Sequence, residues 1–200
     1  MTAQAMKQAL RQSIIADRAA LPHGMRRQLS HEISARLRQL AAYREAGTVL
    51  GYMHFGAEFI SEPWLQQVLN DGKRLLLPRV DAARRELDVY FVEDIAAQLA
   101  PGAYGIREPL PERCTRLERL EEIDFILLPG VAFGRDGARL GYGGGFYDKL
   151  LARIKHNPAL VAAAFAMQVV EDIPQEATDR RVGWLVTENE TMDCGKPGRD

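Results

Sequence analysis

Cysteine is scarce in this sequence, and neither basic nor acidic residues are in excess. Only Cys114 and Cys194 occur in 200 residues, a spacing that excludes a disulfide framework and a cysteine-based zinc site. The 26 basic and 27 acidic residues nearly cancel to a formal net charge of −1. Without a broad basic surface the protein is not expected to bind nucleic acid, so any anion site must be local.

Long apolar runs are absent as well. No stretch approaches the ~20 apolar residues of a membrane-spanning helix, and the N-terminal residues lack the apolar centre of a signal peptide. No linker rich in Pro, Gly or Ser divides the chain. We therefore expect a single domain over residues 1–200 with no membrane partner, located in the cytoplasm, with residues from about 194 to 200 forming a flexible tail.

Helical and strand patterns alternate along the chain, which predicts an α/β protein with a mostly parallel central sheet. The expected helices cover residues 3–20, 22–42, a short segment from 61 that ends at Gly72, and a segment from 146 onward. The expected strands cover residues 48–55, 75–80, 87–92, 123–133, 160–166 and 183–186. Residues 101–109 contain two prolines and two glycines and are expected to be irregular.

A glycine-rich segment lies between the apolar run 123–133 and the helix that begins at Phe146. Gly141, Gly143, Gly144 and Gly145 permit the backbone angles at which successive N–H groups converge on an anion, and the helix N-terminus adds partial positive charge. A glycine-rich hairpin is the alternative. Arg139, at the entry of the segment, favours the phosphate site because a guanidinium can clamp a phosphate.

Three further charged positions allow two interpretations each. Asp148, in the first turn of the helix, either favours the helix dipole or holds Mg²⁺ beside phosphates. Lys7 and Arg11 lie one turn apart in the first helix and form either a solvated basic face or a pair that binds an anion. Glu58 follows the strand 48–55, at the edge where α/β sheets bind ligands, or is an ordinary loop carboxylate.

The segment PGVAF followed by RLGYGGGFYDKLL resembles the signature of the 5-formyltetrahydrofolate cyclo-ligase family, also called methenyltetrahydrofolate synthetase. The resemblance extends to Lys-x-x-x-Arg in the first helix, Glu58, the YGIxEP element and the loop with Asp179, and so covers nearly the whole chain. It implies a three-layer α/β/α fold and ATP-driven cyclisation of 5-formyltetrahydrofolate to 5,10-methenyltetrahydrofolate with release of ADP and phosphate. It also implies Mg²⁺, and we expect a monomer.

The same resemblance implies the roles of individual residues. Catalytic roles fall to Arg139, Lys7 and Tyr147. ATP binding falls to Lys7, Arg11, Arg139, Gly141, Tyr142, Gly143, Gly144, Gly145, Phe146 and Tyr147. Binding of the folate substrate falls to Met53, Glu58, Tyr104, Gly143, Gly144, Gly145 and Phe146. The metal ligands are expected to be Asp148 and Asp179.

The sequence departs from the family pattern at Gly134, where many members have Asp, at Gly144, where one branch has Lys, and at Phe146, where others have Tyr. Two other functions stay open. A non-catalytic folate- or nucleotide-binding protein would share the fold and the glycines. A phosphosugar isomerase or CoA-transferase-like enzyme would need a base or an acyl-accepting Glu with its own motif, which the sequence lacks.

Overall fold

A seven-stranded sheet runs through the computed structural model, which describes residues 2–175 and 179–195. Of the expected tail, residues 196–200 lie outside this described part. The helices are α1 (Ala3–Ala20), α2 (His23–Gln39), α3 (Ala41–Glu45), α4 (Glu62–Asn70), α5 (Ile95–Gln98) and α6 (Phe146–Arg153). The strands are β1 (Thr48–Leu50), β2 (Arg74–Asp81), β3 (Glu86–Val92), β4 (Leu99–Pro101), β5 (Arg107–Pro109), β6 (Phe125–Leu128), β7 (Ala132–Gly134), β8 (Arg139–Leu140), β9 (Ala159–Ala163), β10 (Val169–Val170), β11 (Trp184–Val186) and β12 (Thr191–Asp193).

The central sheet has the strand order β12-β11-β9-β6-β1-β2-β3. Its five inner strands are mutually parallel, and the edge strands β3 and β12 are antiparallel to their neighbours. Helices cover both faces, so the predicted α/β/α architecture is confirmed. A small sheet of order β10-β7-β8 and a β4-β5 hairpin lie outside the central sheet.

Strand β6 shows why both faces are covered. Phe125 and Leu127 join a core cluster with residues of α2 and α4, whereas Ile126 and Leu128 join a second cluster with residues of α6. All four side chains are fully buried. Successive side chains of a strand point to opposite faces, so a continuous apolar run requires a layer of helices on each side.

Two expected elements are each divided in the structure. The helix expected over 22–42 breaks at Leu40, whose extended backbone separates α2 from α3. The strand expected over 123–133 is β6 and β7, which belong to different sheets. Pro129, which has no N–H to donate, and Gly130 separate them, and a Cβ on Gly130 would lie 2.4 Å from the Phe133 ring.

The strand expected over 48–55 ends at Leu50, although the N–H of Gly51 still donates to the carbonyl oxygen of Leu76 in β2. Further along, the backbone bonds to side chains. The N–H groups of His54 and Phe55 bond to Ser61 and Glu58. The prediction of irregular structure over 101–109 was wrong at both ends, where β4 and β5 pair. The hairpin turns at Tyr104, which has a positive φ of 58°.

The structure contains strands that the sequence patterns did not predict. The antiparallel edge strand β12 was not predicted, and the backbone N–H of Cys194 continues its pairing by donating to Gly183 at 2.9 Å. The three short strands of the small sheet were not distinguished from their surroundings either. Within the described ranges, no helix is both long and apolar enough to cross a membrane.

Gly137 turns the chain from β7 to β8 and thereby fixes the approach to the candidate site. Its φ is +84°, and a Cβ there would lie 2.3 Å from the carbonyl oxygen of Val182. We expect Gly137→Ala to lower the free energy of unfolding by about 2 kcal/mol, because the left-handed backbone alone costs an L-residue about 1–2 kcal/mol. Chemical denaturation monitored by circular dichroism measures the change.

Gly24→Ala is the matched control for this prediction. Gly24 lies in α2, and a Cβ there would meet nothing within 4 Å. We expect this variant to be unchanged or stabilised by up to about 0.5 kcal/mol, because alanine loses less backbone entropy in a helix. Equal stability of the two alanine variants would contradict the strained turn.

Candidate active site

One cleft of about 1490 Å³ opens where the chain leaves the carboxyl ends of β1 and β6. Every residue to which the sequence analysis gave a role lines this cleft. Open α/β sheets bind their ligands at this edge, because the loops that follow parallel strands meet there. The structure therefore brings the predicted residues together, while the individual roles stay predictions.

Helix α1 contributes two cationic side chains, Lys7 and Arg11, to the lining of the cleft. Lys7 is only 5% exposed, and its Nζ lies 2.9 Å from Oδ2 of Asp179. The Nε of Arg11 donates to the carbonyl oxygen of Gly141 at 2.8 Å. The solvated basic face that was the alternative interpretation does not describe Lys7, because its charge is buried beside the loop that carries Asp179.

The glycine-rich loop connects β8 to the N-terminus of α6. Gly143 and Gly145 have φ values of +95° and +68°, which favour glycine. Among the described residues, no side chain caps the first turn of α6, and a Cβ on Gly143 would approach the guanidinium of Arg11 at 3.8 Å. Exposed backbone N–H groups, the helix dipole and an arginine thus converge, as an anion site requires.

Gly144 packs against the first residue of the helix. A Cβ there would lie 2.8 Å from the ring of Phe146, so the lysine found in one branch of the family would require this ring to move. At Gly134 a Cβ would lie 2.5 Å from Oδ1 of Asp136, so the aspartate that many members carry would displace that side chain. Both departures therefore fit the local packing of this chain.

Arg139 and Asp148 form an ion pair between β8 and the first turn of α6. The Arg139 side chain is 5% exposed and also donates to the carbonyl oxygen of Pro129 at 3.3 Å, while its Nε has no hydrogen-bond partner in the described part of the chain. Asp148 thus interacts with a guanidinium in addition to the helix dipole. Arg139 keeps an unused donor directed into buried space.

The two expected metal ligands are both on the cleft, and each is paired with a cation. Asp148 contacts Arg139, and Asp179 contacts Lys7. The described residues contain no group of three or more His, Cys, Asp or Glu side chains that could hold a metal by themselves. Two carboxylates fit Mg²⁺ only where substrate phosphates and water supply the other ligands, which is its usual coordination in phosphate sites.

Glu58 lines the cleft and is 3% exposed. Its Oε2 accepts the backbone N–H of Phe55 at 3.0 Å, and its Oε1 accepts the hydroxyl of Tyr142 at 2.6 Å. Burial raises the pKa of this carboxyl group, while the two hydrogen bonds and the positive charge of Arg18 oppose the increase. Glu58 is thus a buried acceptor and not an ordinary solvated loop carboxylate.

Aromatic rings surround this part of the cleft. The rings of Phe55 and Tyr142 are 5.0 Å apart, and those of Tyr104 and Phe146 are 6.4 Å apart in an edge-to-face arrangement. Tyr104 is 77% exposed at the tip of the β4-β5 hairpin, whereas Met53 is buried. Apolar walls with a few directed polar groups are typical of a site for a flat ring.

Tyr147 lies near the charged side chains of Glu58 and Arg139. Burial first, and then the negative charge of Glu58, raise its pKa well above the usual range of a phenol, with Arg139 opposing. Its hydroxyl therefore remains protonated at neutral pH. Tyr147 can donate a hydrogen bond but cannot serve as a base.

The sequence analysis missed Arg18, which donates to the hydroxyl of Tyr142 at 2.6 Å. It also missed Asp136, Arg180 and Arg181, which line the cleft. Only Arg18 left a signal in the sequence, because it follows Arg11 by seven residues and therefore lies on the same face of α1. The others lie in loops without periodicity.

The chain is similar to proteins of known activity along most of its length. The model of the 5-formyltetrahydrofolate cyclo-ligase family matches residues 3–188. The 5-formyltetrahydrofolate cyclo-ligase of Mycolicibacterium smegmatis is 33% identical over 184 residues, which are 90% of this chain and 93% of that protein. The enzyme of the same name from Saccharomyces cerevisiae is 30% identical over 204 residues, covering 91% and 95%. The solved structure of Aquifex aeolicus 5,10-methenyltetrahydrofolate synthetase superposes with a TM-score of 0.83 at 36% identity, covering 98% of this chain and 95% of that one.

Proposed function

Because this chain belongs to the 5-formyltetrahydrofolate cyclo-ligase family, it cyclises 5-formyltetrahydrofolate to 5,10-methenyltetrahydrofolate, and we propose that ATP drives this reaction in the cleft described above. One observation carries the proposal. The glycine-rich loop and the cations of α1 share a single cleft with the buried carboxylate of Glu58. A nucleotide phosphate and the ring of a folate can therefore lie side by side.

The proposed reaction needs positioning and charge neutralisation more than a protein nucleophile. The formyl oxygen attacks the γ-phosphorus of ATP, and ADP leaves. N10 then bonds to the activated carbon and loses its proton, and the bond from this carbon to the phosphorylated oxygen breaks as phosphate departs with that proton. Lys7, Arg11 and Arg139 offset the phosphate charge, and the protonated hydroxyl of Tyr147 donates a hydrogen bond to the developing anion.

We assign Mg²⁺ to Asp148 and Asp179. Both carboxylates line the cleft, and their side chains are 32% and 23% exposed, so water and phosphate oxygens can complete the coordination. The ion supplies positive charge beside the phosphates when it is bound. Arg139 and Lys7, which pair with these carboxylates, carry the charge that the phosphates require.

The pterin ring is assigned to Glu58. An ionised carboxylate accepts about four hydrogen bonds, and Phe55 and Tyr142 use two of them. The remaining capacity suits the adjacent N–H groups of a 2-amino-4-oxo-pyrimidine edge. Met53, Tyr104 and Phe146 offer the apolar contacts for the ring system.

We also propose that the chain works as a single-domain monomer in the cytoplasm. Every residue assigned to the site comes from one chain. Cys114 and Cys194 are free thiols, in keeping with a reducing compartment. Gel filtration with light scattering tests the monomer, because a dimer would double the measured mass.

The activity test follows the methenyl product by its near-ultraviolet absorbance and ADP by a coupled assay. With 5-formyltetrahydrofolate and MgATP together, we expect product and ADP to form in equal amounts. Omission of either substrate should abolish both signals, because the phosphate leaves only after transfer to the formyl oxygen. Addition of a chelator in excess of Mg²⁺ should also suppress them.

Two results would contradict this scheme. Methenyl product at the same rate without nucleotide would remove ATP from the reaction. ATP hydrolysis at the same rate without the folate would indicate an ATPase whose turnover is not coupled to cyclisation. A non-hydrolysable ATP analogue is the control, since it should compete with ATP and give no product.

A further inference from the structure

Helix α1 carries a third cation, Arg18, on the face that already provides Lys7 and Arg11. Arg18 is 3% exposed, and its Nε has no hydrogen-bond partner within the described residues. None of the carboxylates in residues 2–175 and 179–195 lies within ion-pair distance of it. A buried guanidinium without a directly paired anion is unfavourable, so its presence inside the protein requires a physical reason.

The reason lies in a chain of two short hydrogen bonds. The Nη2 of Arg18 donates to the hydroxyl oxygen of Tyr142 at 2.6 Å, and the same hydroxyl lies 2.6 Å from Oε1 of Glu58. A guanidinium can only donate, so the tyrosine oxygen must accept from Arg18. The single hydroxyl hydrogen is then directed to Glu58. The direction of the relay is therefore fixed by the chemistry of its first member.

Such a relay links a positive charge to a negative one through a neutral group. Hydrogen bonds in series polarise one another where water is excluded, and both bonds of this relay are partly buried. The guanidinium also lies 5.8 Å from the centre of the Tyr142 ring, which further restrains that side chain. Glu58 thus receives a donor of fixed position together with electrostatic compensation.

Glu58 needs this compensation to bind a ring that presents N–H groups. A carboxylate accepts from two neighbouring N–H groups, whereas a protonated carboxyl group would direct its own hydrogen against one of them. Burial favours the protonated form, and three tyrosines, Tyr52, Tyr142 and Tyr147, surround the group without adding positive charge. Arg18 is the cation that acts on Glu58 in the opposite sense.

We propose that Arg18 is a positioning residue for the folate, which acts through the hydroxyl of Tyr142 to hold the Glu58 carboxylate in one orientation and negatively charged. The inference rests on the proposed placement of the pterin ring at Glu58. It extends the site beyond the residues that line the cleft, because Arg18 reaches the folate only through two intervening side chains. It also gives Tyr142, in the glycine-rich loop, a role in the folate pocket.

Calorimetric titration with 5-formyltetrahydrofolate in the absence of ATP tests the proposal, since no reaction then occurs. We expect Arg18→Met to raise the dissociation constant about tenfold at neutral pH. Binding should also be lost at a higher pH than in the wild type as the solution is acidified, because Glu58 protonates more readily without the nearby cation. Arg18→Lys should restore the pH dependence, since it returns the charge.

Tyr142→Phe keeps the ring beside Phe55 and removes the hydroxyl that joins the relay. We expect a similar loss of affinity, and we expect Arg18→Met to add little on this background, since both substitutions break the same connection. Arg26→Met is the matched control. Arg26 donates to the carbonyl oxygen of Gly56, in the same loop as Glu58, but takes no part in the relay, so the dissociation constant should stay within about twofold.

Wild-type affinity and pH dependence in Arg18→Met and Tyr142→Phe would overturn the proposal, as would strictly additive losses in the double variant. If Arg18→Met does not fold, the same measurements on Tyr142→Phe decide. Glu58→Gln separates this inference from the proposed function. If Glu58→Gln binds the folate normally, the ring is not at Glu58. If only Glu58→Gln weakens binding, the site stands and Arg18 has no positioning role.

Discussion

Lys7→Ala should lower kcat/KM for MgATP about a hundredfold, which corresponds to about 2.7 kcal/mol of transition-state binding. The ammonium of Lys7 is buried on the wall of the cleft, where a hydrogen bond to a charged group is worth about 1.5–3 kcal/mol. The dissociation constant for 5-formyltetrahydrofolate without nucleotide should change little, because Lys7 pairs with Asp179, whereas the pterin ring is assigned to Glu58, which is held by Phe55 and Tyr142. Steady-state kinetics and calorimetry measure the two effects.

Loss of the ion pair with Asp179 must be separated from loss of the proposed phosphate contact. Asp179→Asn removes the negative partner and leaves the lysine, so it distinguishes the two contributions when it is combined with Lys7→Ala in a double-mutant cycle. If Lys7 serves only Asp179, the double variant should be no worse than Asp179→Asn alone. If Lys7 also binds phosphate, its removal should cost a further factor of at least ten.

Lys73→Ala is the control for removal of a partly buried lysine. Lys73 donates to the carbonyl oxygens of Arg44 and Ala46 and lies outside the cleft. This variant should lose some thermal stability and keep kcat/KM for MgATP. A hundredfold loss in both lysine variants would contradict a specific role of Lys7 in the nucleotide site.

The helices and inner strands of this fold could be predicted because their signals are local. The spacing of apolar residues in α1 gives its observed limits, and the continuous apolar run of β6 indicates a strand between two layers. The apolar run over 123–133 did not indicate that the chain changes from one sheet to another at Pro129, since β7 is as buried as β6. Which sheet a short strand joins depends on partners that are distant in the sequence.

The candidate site could likewise be predicted only where its signals are local. Glycines, Lys7 and Arg11 stand in patterns that a sequence reveals, and the structure brings them to one cleft. The relay from Arg18 through Tyr142 to Glu58 joins residues that are separated by 124 and 84 positions. No periodicity predicts such contacts, because they exist only once α1, the glycine-rich loop and the segment after β1 have packed together.

Glu58→Gln should weaken binding of 5-formyltetrahydrofolate roughly thirtyfold or more, which corresponds to about 2 kcal/mol. The reason is that the substitution replaces one of two buried acceptor oxygens by an NH₂ donor. Two donors already point at the carboxylate, the N–H of Phe55 at Oε2 and the hydroxyl of Tyr142 at Oε1. An amide can satisfy only one of them with its oxygen. Its NH₂ group then faces the other, and a pterin ring bound as proposed loses one of its two acceptors.

The orientation of the new amide follows from the same contacts. The N–H of Phe55 cannot turn away, so the glutamine oxygen should face it and the NH₂ group should face Tyr142. Tyr142 then has to redirect its hydrogen, and Arg18 remains buried without an anion at the end of the relay. We therefore expect a lower melting temperature together with the lower folate affinity.

Affinity for a non-hydrolysable ATP analogue is the internal control, and it should change less than about twofold because we assign the phosphates to the loop and α1. Glu62→Gln is the matched control variant. Glu62 follows Glu58 closely, pairs with Arg107 at 2.9 Å and is 42% exposed, so its neutralisation should leave the folate dissociation constant within about twofold. Unchanged folate affinity with weakened nucleotide binding in Glu58→Gln would move the pterin ring elsewhere in the cleft, and the relay from Arg18 would then serve only the stability of the fold.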